Sequence, residues 1–281
     1  MAIEKRKKLI IVSVLIATIL VGTFYILFFL PPDDLEWRIP TDKIAIIEIK
    51  GEITDTPESY NDGGGANPRA IRKLLDRAEE DEQIKAIVLR INSGGGDAGA
   101  SWDMYRAVQR VDKPVVASIA DTGASGAYLV AVAADEIIAT PMSVIGSIGA
   151  SMEFPFDVPV NASEEAEEMS SMPSGEFKDV FADYRLNESE RAYLMERLES
   201  VQEVFSACVG ESRNISEEDM MNISRGGWFT GEEGLQLGLV DKTGNLEDAI
   251  EEAAELANVS LKDTKVVTLR IEGSRVRERE E

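Results

Sequence analysis

The sequence predicts an α/β fold with parallel strands, carried behind an apolar N-terminal helix. Short β-branched runs alternate with helix-periodic stretches through the middle of the chain, and alternation at this spacing points to βα units. One uncharged run, residues 9–30, stands apart near the start. The 281 residues are 44% hydrophobic, enough for one substantial core.

Residues 1–8 form a basic segment in which positions 4–8 read EKRKK. The 22 residues of 9–30 carry no charge, and as a helix they would extend about 33 Å at ~1.5 Å per residue, enough to cross a bilayer. A cleavable leader has a shorter apolar region and a small-x-small site; this run ends in Phe28-Phe29-Leu30-Pro31-Pro32. The expectation is an uncleaved single-pass transmembrane helix. Positive charge before the span and Asp33, Asp34 and Glu36 after it place the N-terminus in the cytoplasm and the bulk of the chain outside the cell membrane. Residues 31–40 read as a linker, 41–268 as the folded domain, and 269–281 as a charged, frayed tail.

Within the domain, 44–49 (IAIIEI), 85–91 (KAIVLRI), 114–119 (PVVASI) and 136–139 read as strands. Helices are predicted over 69–80, where Ile71, Leu74, Leu75 and Ala78 share a face, over 98–111, and over 127–134, which is apolar all round. Residues 152–173 are acidic, Ser-rich and irregular, and read as a flap. A long amphipathic helix follows over 187–209, with Asn187 and Glu190 at capping-box spacing. It presents Leu194, Leu198, Val201, Phe205 and Cys208 on one face, so the lone cysteine reads as packing.

Absences narrow the chemistry. The chain has no histidine and one cysteine, which excludes Ser-His-Asp and Cys-His catalysis, His-ligated metals and an intrachain disulfide. A net charge of −23 argues against nucleic acid. No cofactor and no metal are expected.

Three segments carry candidate chemistry. Asn92 to Gly96 end a strand in a glycine-rich turn whose amides are able to face an oxyanion; taken alone it is an ordinary turn. Residues 94–99 also satisfy G-x-G-x-x-G, with Asp121 placed as a ribose-binding acid would be, which opens a nucleotide-binding oxidoreductase reading. Ser125, in Asp121-Thr122-Gly123-Ala124-Ser125-Gly126-Ala127-Tyr128, stands where a loop enters an apolar helix; its bland role is an N-cap. Lys178, in Ser174-Gly175-Glu176-Phe177-Lys178-Asp179, is the single lysine between Lys113 and Lys242. A lysine acts as a base only when burial lowers its ordinary value of about 10.4; its bland role is a solvated surface charge.

Together these segments resemble the signal peptide peptidase A (SppA) family. The likeness runs through KAIVLRINSGGGDAGAS, KPVVASIADTGASGAYLVAVAADEIIATPMSVIGSIGA, SGEFKDV and GGWFTGEEGLQLGLVDKTGNLEDAI, over residues 41–250. It implies a crotonase/Clp-protease-like fold and a Ser-Lys dyad peptidase domain over 41–268, in the short form with one catalytic unit. Ser125 becomes the nucleophile, Lys178 the base, Ser147 the group orienting the lysine amine, and Gly95, Gly96 and Gly126 the oxyanion hole. The substrates implied are remnant signal peptides or other membrane-associated peptides. A homo-oligomeric ring is implied, one subunit supplying the serine and its neighbour the lysine. Departures are Gly94 where the family has proline, and Ala127 and Leu129 where Gly and Tyr are common. A protease cutting one stomatin-like partner and a non-catalytic scaffold are the remaining alternatives; retention of Ser125, Lys178 and Ser147 argues against the scaffold.

Overall fold

In the computed structural model, the residues described are 15–22, 42–56, 65–152, 177, 186–273 and 275–281. The chain divides into two compact units, Met1–Pro40 and Thr41–Glu281. In the first, residues 15–22 are helical and exposed. Most of the expected span over 9–30, and all of the linker over 31–40, lies outside the described residues. Among those described, no helix is long and apolar enough to cross a membrane.

The second unit is built on a nine-stranded sheet in the order β11 (Arg275–Glu280), β10 (Thr264–Glu272), β1 (Asp42–Lys50), β4 (Ile84–Ser93), β5 (Val115–Ala124), β6 (Glu136–Ala139), β9 (Lys242–Thr243), with β7 (Val144–Gly146) joined to β5 and β8 (Trp228–Thr230) to β7. Its centre is parallel: β1 pairs with β4, β4 with β5, and β5 with β6. Strands covered on both faces are apolar nearly throughout. On one face Ile47, Leu89, Ile91 and Ile119 meet the main helical layer; on the other Ile44, Ile46, Val88 and Val116 meet Ala249, Ala253 and Ala254.

The predicted helices are present, the first and the last of them with side-chain N-caps. The first, α1 (Pro68–Glu80), starts on Asn67, whose Oδ1 accepts from the Arg69 N–H at 3.0 Å, and buries Ile71, Leu74, Leu75 and Ala78 as the spacing required. Two more, α2 (Ala98–Val108) and α3 (Gly126–Ala131), follow β4 and β5. The long α4 (Glu188–Arg213) opens on the Asn187–Glu190 capping box. Its predicted apolar face is split, however. Leu194, Phe205, Cys208 and Val209 are buried, while Val201 remains 43% exposed, because that stretch borders a cavity. Three short helices then follow, α5 (Glu217–Ile223), α6 (Gly231–Gln236) and α7 (Leu246–Leu256), each with a side-chain N-cap.

The frayed tail expected over 269–281 is not there. Residues Thr264–Glu272 form β10, parallel to β1, and Arg275–Glu280 form β11, antiparallel to β10. The high charge of RVRERE concealed a period of two. Val276 packs against the core, whereas Glu278 reaches Lys43 at 2.9 Å and Arg77 at 3.3 Å. Short strands β2 (Glu52–Ile53) and β3 (Gly65–Ala66) pair with each other beside β1, and β9 (Lys242–Thr243) closes the far edge.

Candidate active site

The site forms where three strands end together. Parallel pairing sets Ser93 at the end of β4 against Gly123 near the end of β5. The strand β7 (Val144–Gly146) then lies along β5, with Ala124 opposite Gly146. Chain reversal after each strand brings the loop 94–96, the turn at Ser125 and the turn at Ser147 to one edge.

Ser125 links β5 directly to α3 with φ 53° and ψ −129°. A non-glycine residue at positive φ is strained by about 1–3 kcal/mol and persists only when its surroundings hold it. They do: the Ser125 N–H donates to Gly146 O at 2.8 Å, and its C=O accepts from the Leu129 N–H at 3.0 Å. The following helix is anchored by Tyr128, fully buried, whose OH donates to Leu239 O at 2.6 Å; burial pushes that phenol far above its ordinary pKa. The side chain of Ser125 caps nothing, so the N-cap role fails and the hydroxyl is left for other work.

The glycine loop is pressed against this turn. Gly95 has φ +98°, and a Cβ there would lie 2.7 Å from the Gly126 nitrogen and 2.9 Å from the Ser125 Cβ. Gly96, at φ +156°, is pinned from the opposite side, where a Cβ would meet Ile53 O at 2.1 Å. Ile53 bridges to Gly96 by donating its N–H to Gly95 O at 2.9 Å and accepting from the Asp97 N–H at 2.8 Å. In a parallel bridge that pattern turns the Gly96 amide to the other edge, away from Ile53. The Gly95 N–H donates to the buried Ser93 Oγ at 3.1 Å. Neither the Gly96 nor the Gly126 N–H is bonded to an acceptor among the described residues. Of the three glycines, two therefore present free donors, and the third provides the close approach.

Ser147 follows Gly146 in the register that sets Gly146 beside Ala124, so it stands alongside Ser125. It too is strained, at φ 51°. Its N–H donates to Gly227 O at 2.8 Å, and its Oγ makes only a long 3.5 Å contact with Gly226 O. Behind it β8 (Trp228–Thr230) pairs with β7. Lys178 lies outside the described residues, as does the flap from 153 to 173. Its neighbour Phe177 stacks on Tyr193 of α4 with ring centroids 4.3 Å apart.

A cavity of about 560 Å³ opens between the serine turn and α4, with Ser125, Gly126 and Gly96 on one wall. Trp102, Leu129, Met152, Leu198, Val204 and Phe205 give it an apolar lining. Leu198 and Val201 share the apolar face of α4 with the buried Phe205, yet line the cleft; amphipathic spacing does not distinguish a face that meets the core from one that meets a cavity.

The nucleotide-binding reading of 94–99 does not fit this geometry. The loop packs on Ile53 and on the serine turn, and Asp121 is engaged by the Asn92 side-chain amide at 3.5 Å.

A serine held on a strained strand-to-helix turn, with two unbonded amides and an apolar cleft beside it, is built for nucleophilic acyl transfer, and the relatives make that class the serine peptidases. Residues 107–260 match Peptidase family S49, and residues 65–146 match Clp protease. A putative protease of Methanocaldococcus jannaschii is 32% identical over 228 residues, covering 78% of this chain and 72% of that one. Protease 4 of Haemophilus influenzae is 29% identical over 86% of this chain, which spans only 39% of its length. A putative signal peptide peptidase SppA of Enterococcus faecium is 27% identical, over 78% of this chain and 65% of its own. The chain belongs to peptidase family S49.

Proposed function

We propose that this chain is a membrane-anchored endopeptidase that works through a Ser125–Lys178 dyad and an acyl-enzyme. The observation that carries the reading is the Ser125 turn itself, positive in φ, free of capping and flanked by the unbonded amides of Gly96 and Gly126. Ser125 Oγ bonds to the peptide carbonyl carbon as its proton passes to the neutral Lys178 Nζ. The carbonyl oxygen, now negative, takes the two amides, a contact stronger in the transition state than in the ground state. Collapse breaks the C–N bond, and the lysine returns the proton to the leaving amine. Water then hydrolyses the ester by the same route. Ser147, half-buried alongside Ser125 and with only one long bond, is suited to accept from the lysine amine and aim it.

The apolar cavity favours apolar side chains beside the scissile bond, consistent with remnant signal peptides and other membrane-associated peptides as substrates. The run 9–30 behind EKRKK supports a single-pass anchor with the catalytic unit outside. A ring in which a neighbour supplies Lys178 belongs to this reading through the family resemblance.

A fluorophosphonate probe should label wild-type protein at Ser125, detected by mass spectrometry of the modified peptide, and peptide-library cleavage should vanish in Ser125→Ala. Labelling elsewhere, or cleavage that survives in Ser125→Ala, would overturn the assignment. Mixing Ser125→Ala with Lys178→Ala subunits should recover part of the activity; mixed oligomers that form and stay inactive place the dyad within one chain.

A further inference from the structure

The site holds one buried polar atom that this chemistry does not use. Ser101, near the start of α2 and beside the cleft, is 0% exposed, and its Oγ has no hydrogen-bond partner among the described residues. A helical serine often bonds back to the carbonyl four residues earlier; here Asp97 O takes the Ser101 N–H at 2.9 Å, and the hydroxyl makes no such bond. Orphaned buried hydroxyls are rare and unfavourable, so each asks for a reason.

The reason lies across the helix interface. A Cβ at Gly126 would sit 2.1 Å from Ser101 Oγ and 2.9 Å from Ser101 Cβ, with the next atom, the Gly96 nitrogen, at 3.5 Å. Gly126 is not among the residues at positive φ, so its backbone does not itself require glycine. The lack of a side chain at 126 answers to Ser101.

We infer that Ser101 is a positioning residue for the oxyanion hole: its hydroxyl seats against the Cα of Gly126 and sets the spacing between the Gly126 and Gly96 amides. The inference rests on those two amides being the hole. The contact is of the Cα–H···O kind, weak by itself but directional, and it joins the first turn of α2, which also carries Asp97 next to Gly96, to the first turn of α3. The two donors thereby move as one unit.

The test is a rescue. Gly126→Ala should lower kcat by about 100-fold with little change in KM, as loss of one oxyanion donor does, and it should lower the melting temperature. Adding Ser101→Gly removes both close contacts. The double variant should regain about tenfold in kcat and part of the melting temperature, although Ser101→Gly alone weakens α2 and slows cleavage. Ser101→Ala alone should lower kcat about three- to tenfold at constant KM, which covers the case in which Gly126→Ala does not fold. A double variant no faster than Gly126→Ala overturns the inference, as does a Ser101→Ala enzyme with wild-type kcat. Failure of the wider reading looks different: the wild type would then neither cleave peptides nor label at Ser125, while recovery of the melting temperature would still report the packing.

Discussion

The serine turn and the edge hairpin lie in the same sheet and are built on opposite terms. At the turn, Ser125 and Ser147 are held at positive φ, and among the described residues the Gly96 and Gly126 amides have no acceptor and the buried Ser101 Oγ no partner. At the hairpin, β10 and β11 pair along six registered positions, and the carboxylate of Glu278 is met by Lys43 and Arg77. The hairpin spends its groups on stability. The turn withholds them, with the strain and open donors that the proposed oxyanion site requires. Substitutions at the two places should therefore separate activity from stability in opposite directions.

The largest effect belongs to Ser125. Ser125→Ala should reduce cleavage by at least about 1,000-fold, the scale on which a lost nucleophile acts. Ser125→Gly should be equally inactive yet melt several degrees higher, because glycine accepts φ 53° without the ~1–3 kcal/mol of strain. Calorimetry beside peptide kinetics checks both; a lower melting temperature in Ser125→Gly would remove strain from the comparison.

Gly96→Ala comes next. Its Cβ has nowhere to go at 2.1 Å from Ile53 O, so the loop must leave β2 and carry the free amide with it. Cleavage should fall about 100-fold and stability by about 2 kcal/mol. A stable but inactive variant would show that amide position alone matters; a stable and active one would move the oxyanion hole elsewhere.

At the hairpin, Glu278→Gln should lower stability by about 1 kcal/mol in urea unfolding and leave kcat unchanged. A drop in kcat would couple the edge to the site and break the contrast.

The smallest effect is in the pH response of the same edge. Burial of Asp81 works to raise its pKa, but the Gln83 amide, Lys43 and Arg77 outweigh it and hold the carboxyl below its ordinary value of 3.8. A depressed carboxylate stabilises the fold above its unfolded pKa and loses that contribution as pH falls through the folded one. The stability advantage of wild type over Asp81→Asn should therefore be full at neutral pH and fade below about pH 4. An advantage that persists to lower pH would mean that the charge does not carry it.

Much of this was legible in the sequence, for a local reason. The capping box of α4, the buried positions of α1 and the runs that became β1, β4, β5 and β6 depend on residues within a few positions of one another. The absence of histidine and the segments around Ser125 pointed to the chemistry before any coordinates. The sequence did not reveal which amides were free. Gly95, Gly96 and Gly126 looked equivalent until Ser93 took the first and Ile53 turned the second. Nor did it reveal that a charged tail was a strand, that α4 turns part of its apolar face to a cleft, or that Ser101 excludes a side chain at 126. Several of these are set by partners distant in the chain, 25 residues between Ser101 and Gly126 and 235 between Lys43 and Glu278; the Ser93–Gly95 bond and the β10–β11 pairing are local, yet no periodicity announces them. Composition and periodicity determine what a segment is; which of its polar groups remain free is decided by what the fold packs against it.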